Sequence, residues 1–147
     1  MQLRTEIEIE ATPSRVWEVL TDFARYHEWN PFITSIGSMG GELRVGHKLQ
    51  VTLSPPESSE MTFTPDLLVH EPNQELRWRG KVMFKGLFDG EHFFQLTEKS
   101  PGRTRFVHGE NFSGFLVRFM TRKLTHVARG FIYMNQALKK RVESGRT

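Results

Sequence analysis

Hydrophobic and polar positions divide the chain into a strand-rich part followed by one long helix. The clearest periodic segment runs from Phe115 to about Val142, where apolar residues recur at steps of three and four. At about 100° per residue these residues fall on one stripe of a helix. The stripe consists of Leu116, Met120, Leu124, Val127, Phe131, Met134, Leu138 and Val142. A long helix with one apolar stripe needs a broad apolar surface to cover, and only the preceding strands can supply it.

The start of the chain predicts one strand and two short helices. Residues 2–10 alternate between apolar and charged side chains, which is typical of a half-buried strand. Thr12 and Pro13 then fit the cap and the first position of a helix. We expect Asp22 to cap a second short helix that ends before Asn30-Pro31, because proline disfavours helical geometry in the residue before it.

The middle of the chain predicts about six further strands. Met61 to Glu71 forms one predicted strand, in which Pro65 indicates an edge or a bulge. Successive strands with short turns favour an antiparallel meander, and its twist curls the sheet around the helix. The predicted fold class is therefore α+β, with a curved antiparallel sheet of about six to seven strands wrapped on the long C-terminal helix and two short helices after the first strand. Residues 1–147 are expected to form a single domain.

Composition narrows the classes of function. The 12 Phe and 3 Trp against 2 Tyr favour dry surfaces, either in the core or in an apolar pocket. The absence of Cys excludes disulfides, thiolate metal sites and thiol catalysis. No apolar run reaches the length of a membrane span, and the N-terminus does not resemble a signal peptide. We therefore expect a cytoplasmic protein.

Charge is distributed unevenly along the chain. Residues 113–147 hold eight Lys/Arg and one acid, whereas the remaining residues hold 12 basic and 16 acidic residues, a net charge of −4. Arg118, Arg122, Arg129 and Lys140 lie on one helical stripe opposite the apolar one. This stripe is either a solvated outer face or a surface for an anionic membrane or a partner protein. No nucleic-acid-binding motif is present.

Several phrases resemble the SRPBCC superfamily, which includes START lipid-transfer domains and polyketide cyclase/dehydrase-like proteins. They are residues 11–22, residues 26–32, Gly46-His47-Lys48-Leu49, Leu76-Arg77-Trp78 and Gly90-Glu91-His92-Phe93-Phe94. The resemblance covers essentially the whole chain and implies a helix-grip fold with a deep cavity between the sheet and the long helix. It is specific for the fold and says little about the reaction or the ligand.

Alternation on the last two strands identifies candidate polar residues. His108 and Glu110 share a face with Phe106 and Phe112, and His92 shares one with Phe94. We therefore expect His92, His108 and Glu110 to point into an apolar chamber. They can act as an acid/base group, as polar anchors for a ligand, or as interior groups bonded to each other. No close-spaced motif supports a metal site, and we expect none.

The expected cavity is otherwise apolar. Its predicted lining consists of Trp78, Phe88, Phe94, Phe106, Phe112, Phe119, Val127 and Phe131, with the three polar residues as anchors. Phe112, Phe115, Phe119 and Phe88 can form an apolar gate, in which Gly86, Gly90 and Gly114 provide mobility. The alternative is ordinary packing of a helix start against a loop.

The sequence favours binding of a small or medium hydrophobic ligand, such as a lipid, a polyketide or an aromatic compound, for carriage, sensing or sequestration. The first alternative is a cyclase, dehydratase or isomerase that uses His92, His108 and Glu110 and no cofactor. The second is a regulatory or chaperone module that docks a partner through the basic helix face. A membrane is a less favoured partner, nucleic acid is not expected, and the sequence leaves monomer and homodimer open.

Overall fold

The computed structural model describes residues 1–81 and 89–145. Its first strand and first helices follow the predicted order. The N-terminal elements are β1 (Gln2–Ile9), α1 (Pro13–Thr21), a 3-10 turn (Phe23–Arg25) and α2 (Tyr26–Trp29). The predicted Thr12 cap is confirmed, since its side chain accepts a hydrogen bond from the Arg15 backbone N–H. Asp22 occupies the N-cap position of the 3-10 turn, as predicted, but its side chain makes no capping hydrogen bond and its carboxylate pairs with Arg25, 3.3 Å away.

The described strands form two antiparallel sheets. These strands are β2 (Ile33–Ser38), β3 (Leu49–Leu53), β4 (Met61–Phe63), β5 (Asp66–Glu71), β6 (Glu75–Lys81), β7 (Asp89–Ser100) and β8 (Arg103–Ser113). The larger sheet has the order β1-β8-β7-β6-β5 and the smaller one the order β2-β3-β4. Strand β2, which the sequence analysis did not predict, pairs with β3.

The single strand predicted from Met61 to Glu71 is divided in two. Its halves, β4 and β5, pair with different sheets, β4 with β3 and β5 with β6. Pro65 lies between them and has no N–H to donate to a ladder. The Leu49 N–H donates to the Pro65 carbonyl, so the two sheets stay in contact at this bend. The curved surface therefore bends at Pro65, where the small sheet meets the large one, and we call this boundary the crease.

The long helix, α3, runs from Thr121 to Glu143 and packs against the inner face of the sheet. The predicted start at Phe115 is wrong. Gly114 has a φ of +104°, which turns the chain, and a 3-10 turn at Val117–Phe119 precedes α3. Because Met120 has a φ of −109° and a ψ of 12°, this turn does not continue into the helix.

The apolar stripe of α3 faces the core, as predicted. Its buried residues are Leu124, Val127, Gly130, Phe131, Met134, Asn135, Leu138 and Val142. A Cβ at position 130 would collide with the Phe32 ring, so Gly130 lets the helix approach closely. The structure thus confirms an α+β fold in which a curved antiparallel sheet grips a long C-terminal helix. None of the helices in residues 1–81 and 89–145 is long and apolar enough to cross a membrane.

Candidate functional site

Strand register places three candidate polar residues next to one another on the inner face of the sheet. His92 on β7 lies directly opposite Glu110 on β8 and directly opposite Trp78 on β6. His108 lies two residues before Glu110 on β8 and therefore on the same face. Side chains of residues paired across antiparallel strands lie within contact distance. The three side chains that the alternation predicted to face inward thus meet at one place in the sheet.

Hydrogen bonds join these residues into a chain that crosses the core. Glu110 Oε1 lies 3.0 Å from His92 Nδ1, and His92 Nε2 lies 2.8 Å from His108 Nε2. On the far side, His108 Nδ1 lies 2.9 Å from Asn135 Oδ1 on α3. Asn135 Nδ2 donates to Thr5 Oγ1 on β1, 2.8 Å away. Both imidazoles therefore have partners on both ring nitrogens.

Aromatic rings enclose the two imidazoles. Trp78 stacks on His92 with ring centroids 5.0 Å apart, and Phe131 stacks on His108 at 4.1 Å. Phe94 contacts both histidines from the side. His92 and His108 are 2% and 0% exposed. The histidines are thus almost completely removed from water.

Burial shifts the pKa of each titratable group towards its neutral form. It lowers the pKa of His92 to about 3 and, together with the neighbouring His92, lowers the pKa of His108 well below its ordinary value. It raises the pKa of the Glu110 carboxyl to about 8. Near neutral pH the titratable groups of this hydrogen-bond chain are therefore two neutral imidazoles and a largely protonated carboxyl. Such a carboxyl can form hydrogen bonds with a ligand and can exchange a proton with His92.

A cavity of about 390 Å³ lies where the sheet creases beneath the first turns of α3. Its apolar wall combines residues of the small sheet, β8 and the helix. Its polar lining includes the Glu110 carboxyl and the side chains of Lys81 and Lys123. The lining consists of Leu53, Met61, Thr62, Phe63, Gly80, Lys81, Gly90, Glu110, Phe112, Met120, Lys123, Leu124 and Val127.

Two glycines on neighbouring strands make room for this cavity and for Glu110. Gly80 on β6 pairs with Gly90 on β7. A Cβ at Gly90 would collide with Glu110 Oε2, and a Cβ at Gly80 would lie 3.0 Å from the Phe63 ring. Glycine inside a strand often marks such a close approach. The pair leaves a gap in the side-chain layer, and the Glu110 carboxyl lies beside it.

The predicted lining residues separate into four groups. Glu110, Phe112 and Val127 line the cavity. Trp78, His92, Phe94, Phe106, His108 and Phe131 form a packed aromatic layer next to it. Phe119 is 68% exposed and borders an open surface groove instead. Phe88 lies outside the described residues, as does Gly86 of the predicted gate, and Phe115 is 61% exposed.

Sequence reasoning missed Asn135, Thr5 and Gly80 as residues that shape the site, and it assigned Gly90 to a gate rather than to the cavity wall. Asn135 and Thr5 extend the hydrogen-bond chain, and Gly80 and Gly90 make room in the sheet. The available signal for Asn135 was a polar residue four positions after Phe131, within the apolar stripe. The signal for Thr5 was its place among Leu3, Ile7 and Ile9 on one strand face. Nowhere in the described part of the chain do three or more His, Asp or Glu residues form a group suited to a metal ion.

Solved structures of low sequence identity share the fold. An aromatase/cyclase from a Streptomyces species matches with a TM-score of 0.78 and 14% identity, over 100% of this chain and 99% of that one. A protein from Thermus thermophilus matches with a TM-score of 0.76 and 13% identity, over 100% of both chains. A START superfamily protein from Mycobacterium smegmatis matches with a TM-score of 0.73 and 16% identity, over 97% of each chain. No curated protein matches the sequence.

The family resemblance noted in the sequence phrases is confirmed at the level of the whole chain. The structural neighbours include a START superfamily protein, as expected for a sheet that grips a C-terminal helix. A family model that covers nearly all of the sequence adds evidence independent of the fold. Because that model matches residues 1–143, the chain belongs to the family described as polyketide cyclase / dehydrase and lipid transport.

Proposed function

We propose that the protein binds a small, mostly apolar molecule in the creased cavity, with Glu110 as its polar contact. The observation that carries this proposal is an apolar cavity with a largely protonated carboxyl in its wall. Ligand sites are typically concave, apolar and equipped with a few well-placed polar groups. The family description and the structural neighbours fit a hydrophobic ligand.

The size of the cavity narrows the ligand class. Its volume of about 390 Å³ is near the lower end of the range of roughly 300–1,000 Å³ for ligand pockets. A compact aromatic or polyketide-derived ring system fits this volume better than a lipid with two long chains. Thr62, Lys81 and Lys123 supply further polar atoms at the wall.

Reducing the cavity should abolish binding. We expect Val127→Phe to fill space directly over the cavity, since Val127 is a buried wall residue on α3. Affinity for a naphthalene-based fluorescent probe should fall at least tenfold, which corresponds to about 1.4 kcal/mol. Titration of the probe, followed by its fluorescence, measures the loss.

Ile132→Phe is the matched control for this test. Ile132 lies on the same helix but is 45% exposed, so the same ring is added outside the cavity. Probe affinity should be unchanged in this variant. Equal affinity of both variants and the unmodified protein would contradict the cavity as the binding site. Thermal unfolding of Val127→Phe shows whether the fold is intact.

A second candidate function is acid/base catalysis in the same cavity, and the hydrogen-bonded pair of Glu110 and His92 favours it. A pKa of about 8 makes the Glu110 carboxylate a stronger base than an ordinary one, and a fraction of it is ionised at neutral pH. Proton transfer beside a carbonyl needs such a group within reach of the substrate carbon. A solved structure with this fold is an aromatase/cyclase.

Deuterium exchange of a simple ketone tests this candidate. The protein should accelerate exchange beside the carbonyl of 2-tetralone in deuterated water, and Glu110→Gln should lose most of this acceleration, by about 10²-fold or more. NMR signals of the exchanging protons give the rate. Glu98→Gln, at an exposed position of β7, should exchange like the unmodified protein. A Glu110→Gln variant that binds the ketone more weakly but exchanges it equally fast would contradict catalysis.

A further inference from the structure

The hydrogen-bond chain through the core ends at a backbone carbonyl, which fixes its direction. Thr5 Oγ1 donates to the His108 carbonyl oxygen, 2.9 Å away. A carbonyl oxygen can only accept, and a threonine hydroxyl has one hydrogen to give. That hydrogen is therefore committed, and Thr5 Oγ1 must act as an acceptor towards Asn135 Nδ2, 2.8 Å away.

The orientation of the Asn135 amide follows from this commitment. With Nδ2 towards Thr5, Oδ1 faces His108 Nδ1 at 2.9 Å. A flipped amide would turn its oxygen towards Thr5 Oγ1, whose hydrogen already goes to the backbone carbonyl, and one hydrogen bond would be lost. Because Asn135 is only 3% exposed, water cannot replace that bond. His108 therefore carries its hydrogen on Nδ1.

The tautomers of both histidines are then determined. Neutral His108 has an unprotonated Nε2, so the 2.8 Å contact requires His92 to donate from its Nε2. Neutral His92 is left with an unprotonated Nδ1, and the hydrogen of its 3.0 Å bond to Glu110 belongs to Glu110 Oε1. Glu110 Oε2, which lies against Gly90 at the cavity, carries no hydrogen. Transfer of the proton from Glu110 to His92 leaves Oε2 an acceptor as well.

We infer that Thr5 and Asn135 are positioning residues that fix the direction of this chain, and that the ligand donates a hydroxyl hydrogen to Glu110 Oε2, as a phenol, an enol or an alcohol does. The opposite direction would make His92 donate to Oε1, and a neutral Glu110 would then offer a hydrogen from Oε2 to a ligand carbonyl. The choice between hydroxyl and carbonyl ligands is thus made at Thr5, on the far side of the core. The ligand part of this inference rests on the proposed function, whereas the direction of the chain does not.

Nitrogen-15 NMR of the histidine side chains tests the direction without any ligand. At neutral pH, His108 should be the Nδ1–H tautomer and His92 the Nε2–H tautomer, because protonated and unprotonated ring nitrogens have well-separated shifts. Thr5→Val removes the committed hydroxyl and should give a mixture of His108 tautomers. Asn135→Asp, which keeps an acceptor at this position, should retain the Nδ1 hydrogen. An Nε2–H tautomer for His108 in the unmodified protein would overturn the inference.

Matched probes test the ligand class. 2-Naphthol should bind about tenfold more tightly than 2-methoxynaphthalene, since one neutral hydrogen bond is worth roughly that factor. Glu110→Leu should lose this preference while naphthalene itself is still bound. Equal binding of the two probes by the unmodified protein would overturn the hydroxyl assignment and leave the apolar cavity intact. Failure of all three probes to bind would contradict the proposed function, and the histidine tautomers would still decide the direction of the chain.

Discussion

Glu110 shows how one side chain connects the core with the cavity. One carboxyl oxygen is held by His92 within the aromatic layer, and the other lies beside Gly90 at the cavity. The side chain is only 12% exposed, so its ionised form is poorly solvated. Its pKa of about 8 lies above the ordinary value of 4.5, while the pKa values of both histidines lie below theirs.

These shifts make stability depend on pH in opposite ways. Between pH 4.5 and about 8 the folded protein retains a proton on Glu110 that the unfolded chain releases, so the free energy of unfolding falls as pH rises. Between pH 6.5 and about 3 the unfolded chain takes up a proton that His92 refuses, so the free energy of unfolding falls as pH drops. Between pH 4.5 and pH 6.5 the two effects oppose each other. The stability that Glu110 and His92 contribute should therefore be greatest in this mildly acidic range and lower on either side of it.

Glu110→Gln should remove the fall in the free energy of unfolding at high pH and leave the fall at low pH unchanged. The glutamine amide can donate to His92 Nδ1 as the protonated carboxyl does, and it does not ionise. Relative to the unmodified protein, the variant should gain about 2–4 kcal/mol in free energy of unfolding between pH 5 and pH 9. Lys81 and Lys123 also line the cavity. Because both are present in the variant and in the unmodified protein, the comparison between the two isolates the effect of Glu110. Chemical denaturation at several pH values measures this difference, and parallel pH curves would show that Glu110 ionises normally in the fold.

For individual residues, the sequence predicted the direction in which side chains point better than it predicted their hydrogen-bond partners. Two-residue alternation was enough to direct His92, His108 and Glu110 inward, because neighbouring Phe residues determine which face is buried. It could not reveal that Asn135 and Thr5 complete the chain. Asn135 is 130 residues away from Thr5, and their hydrogen bond depends on how α3 is placed on the sheet.

Among the elements, the periodic segments were predicted well and their ends were not. The apolar stripe identified α3 because eight positions repeat at helical spacing, and a single irregular residue cannot hide such a pattern. Its start was misplaced because Leu116 and Met120 continue that spacing, although Gly114 and Met120 adopt backbone angles that interrupt the helix. Periodicity describes which face is apolar and does not report where hydrogen bonding begins.

Pro65 shows how one residue changes the role of an element. The sequence predicted an edge or a bulge, and both halves do lie at the edges of their sheets. In addition, the structure bends the strand so far that these halves belong to two sheets. Phe63, just before the bend, then lies over Gly80 of the large sheet and forms part of the cavity wall. The cavity therefore depends on a bend whose angle is set by tertiary packing, which is why its lining was only partly predicted.

Across the whole molecule, the uneven charge is partly neutralised by ion pairs between distant segments. Arg129 of the predicted basic stripe pairs with Glu57, with a distance of 2.6 Å, and Arg141 pairs with Glu28. Within residues 1–81 and 89–145, Arg118, Arg122 and Lys140 have no such ion pair, although Arg118 lies 4.9 Å from the Phe119 ring. The stripe that the sequence presented as one surface thus contains members with different roles. The docking alternative therefore depends mainly on Arg118 and Arg122, beside the exposed rings of Phe115 and Phe119.

Charge reversal should separate these roles. Arg129→Glu places two acids against each other where α3 meets the loop that carries Glu57, and it should lower the melting temperature by roughly 1–3 °C. Combining it with Glu57→Arg restores opposite charges and should recover that loss. Arg118→Glu with Arg122→Glu should leave the melting temperature unchanged, because neither residue has an ion pair to lose in the described structure. Thermal unfolding at low salt measures these shifts, and equal destabilisation by all the reversals would show that the stripe acts as one structural unit.

If a partner or an anionic vesicle docks on this face, the Arg118 and Arg122 reversals should abolish its binding without altering affinity for the naphthalene probe, since both side chains are exposed.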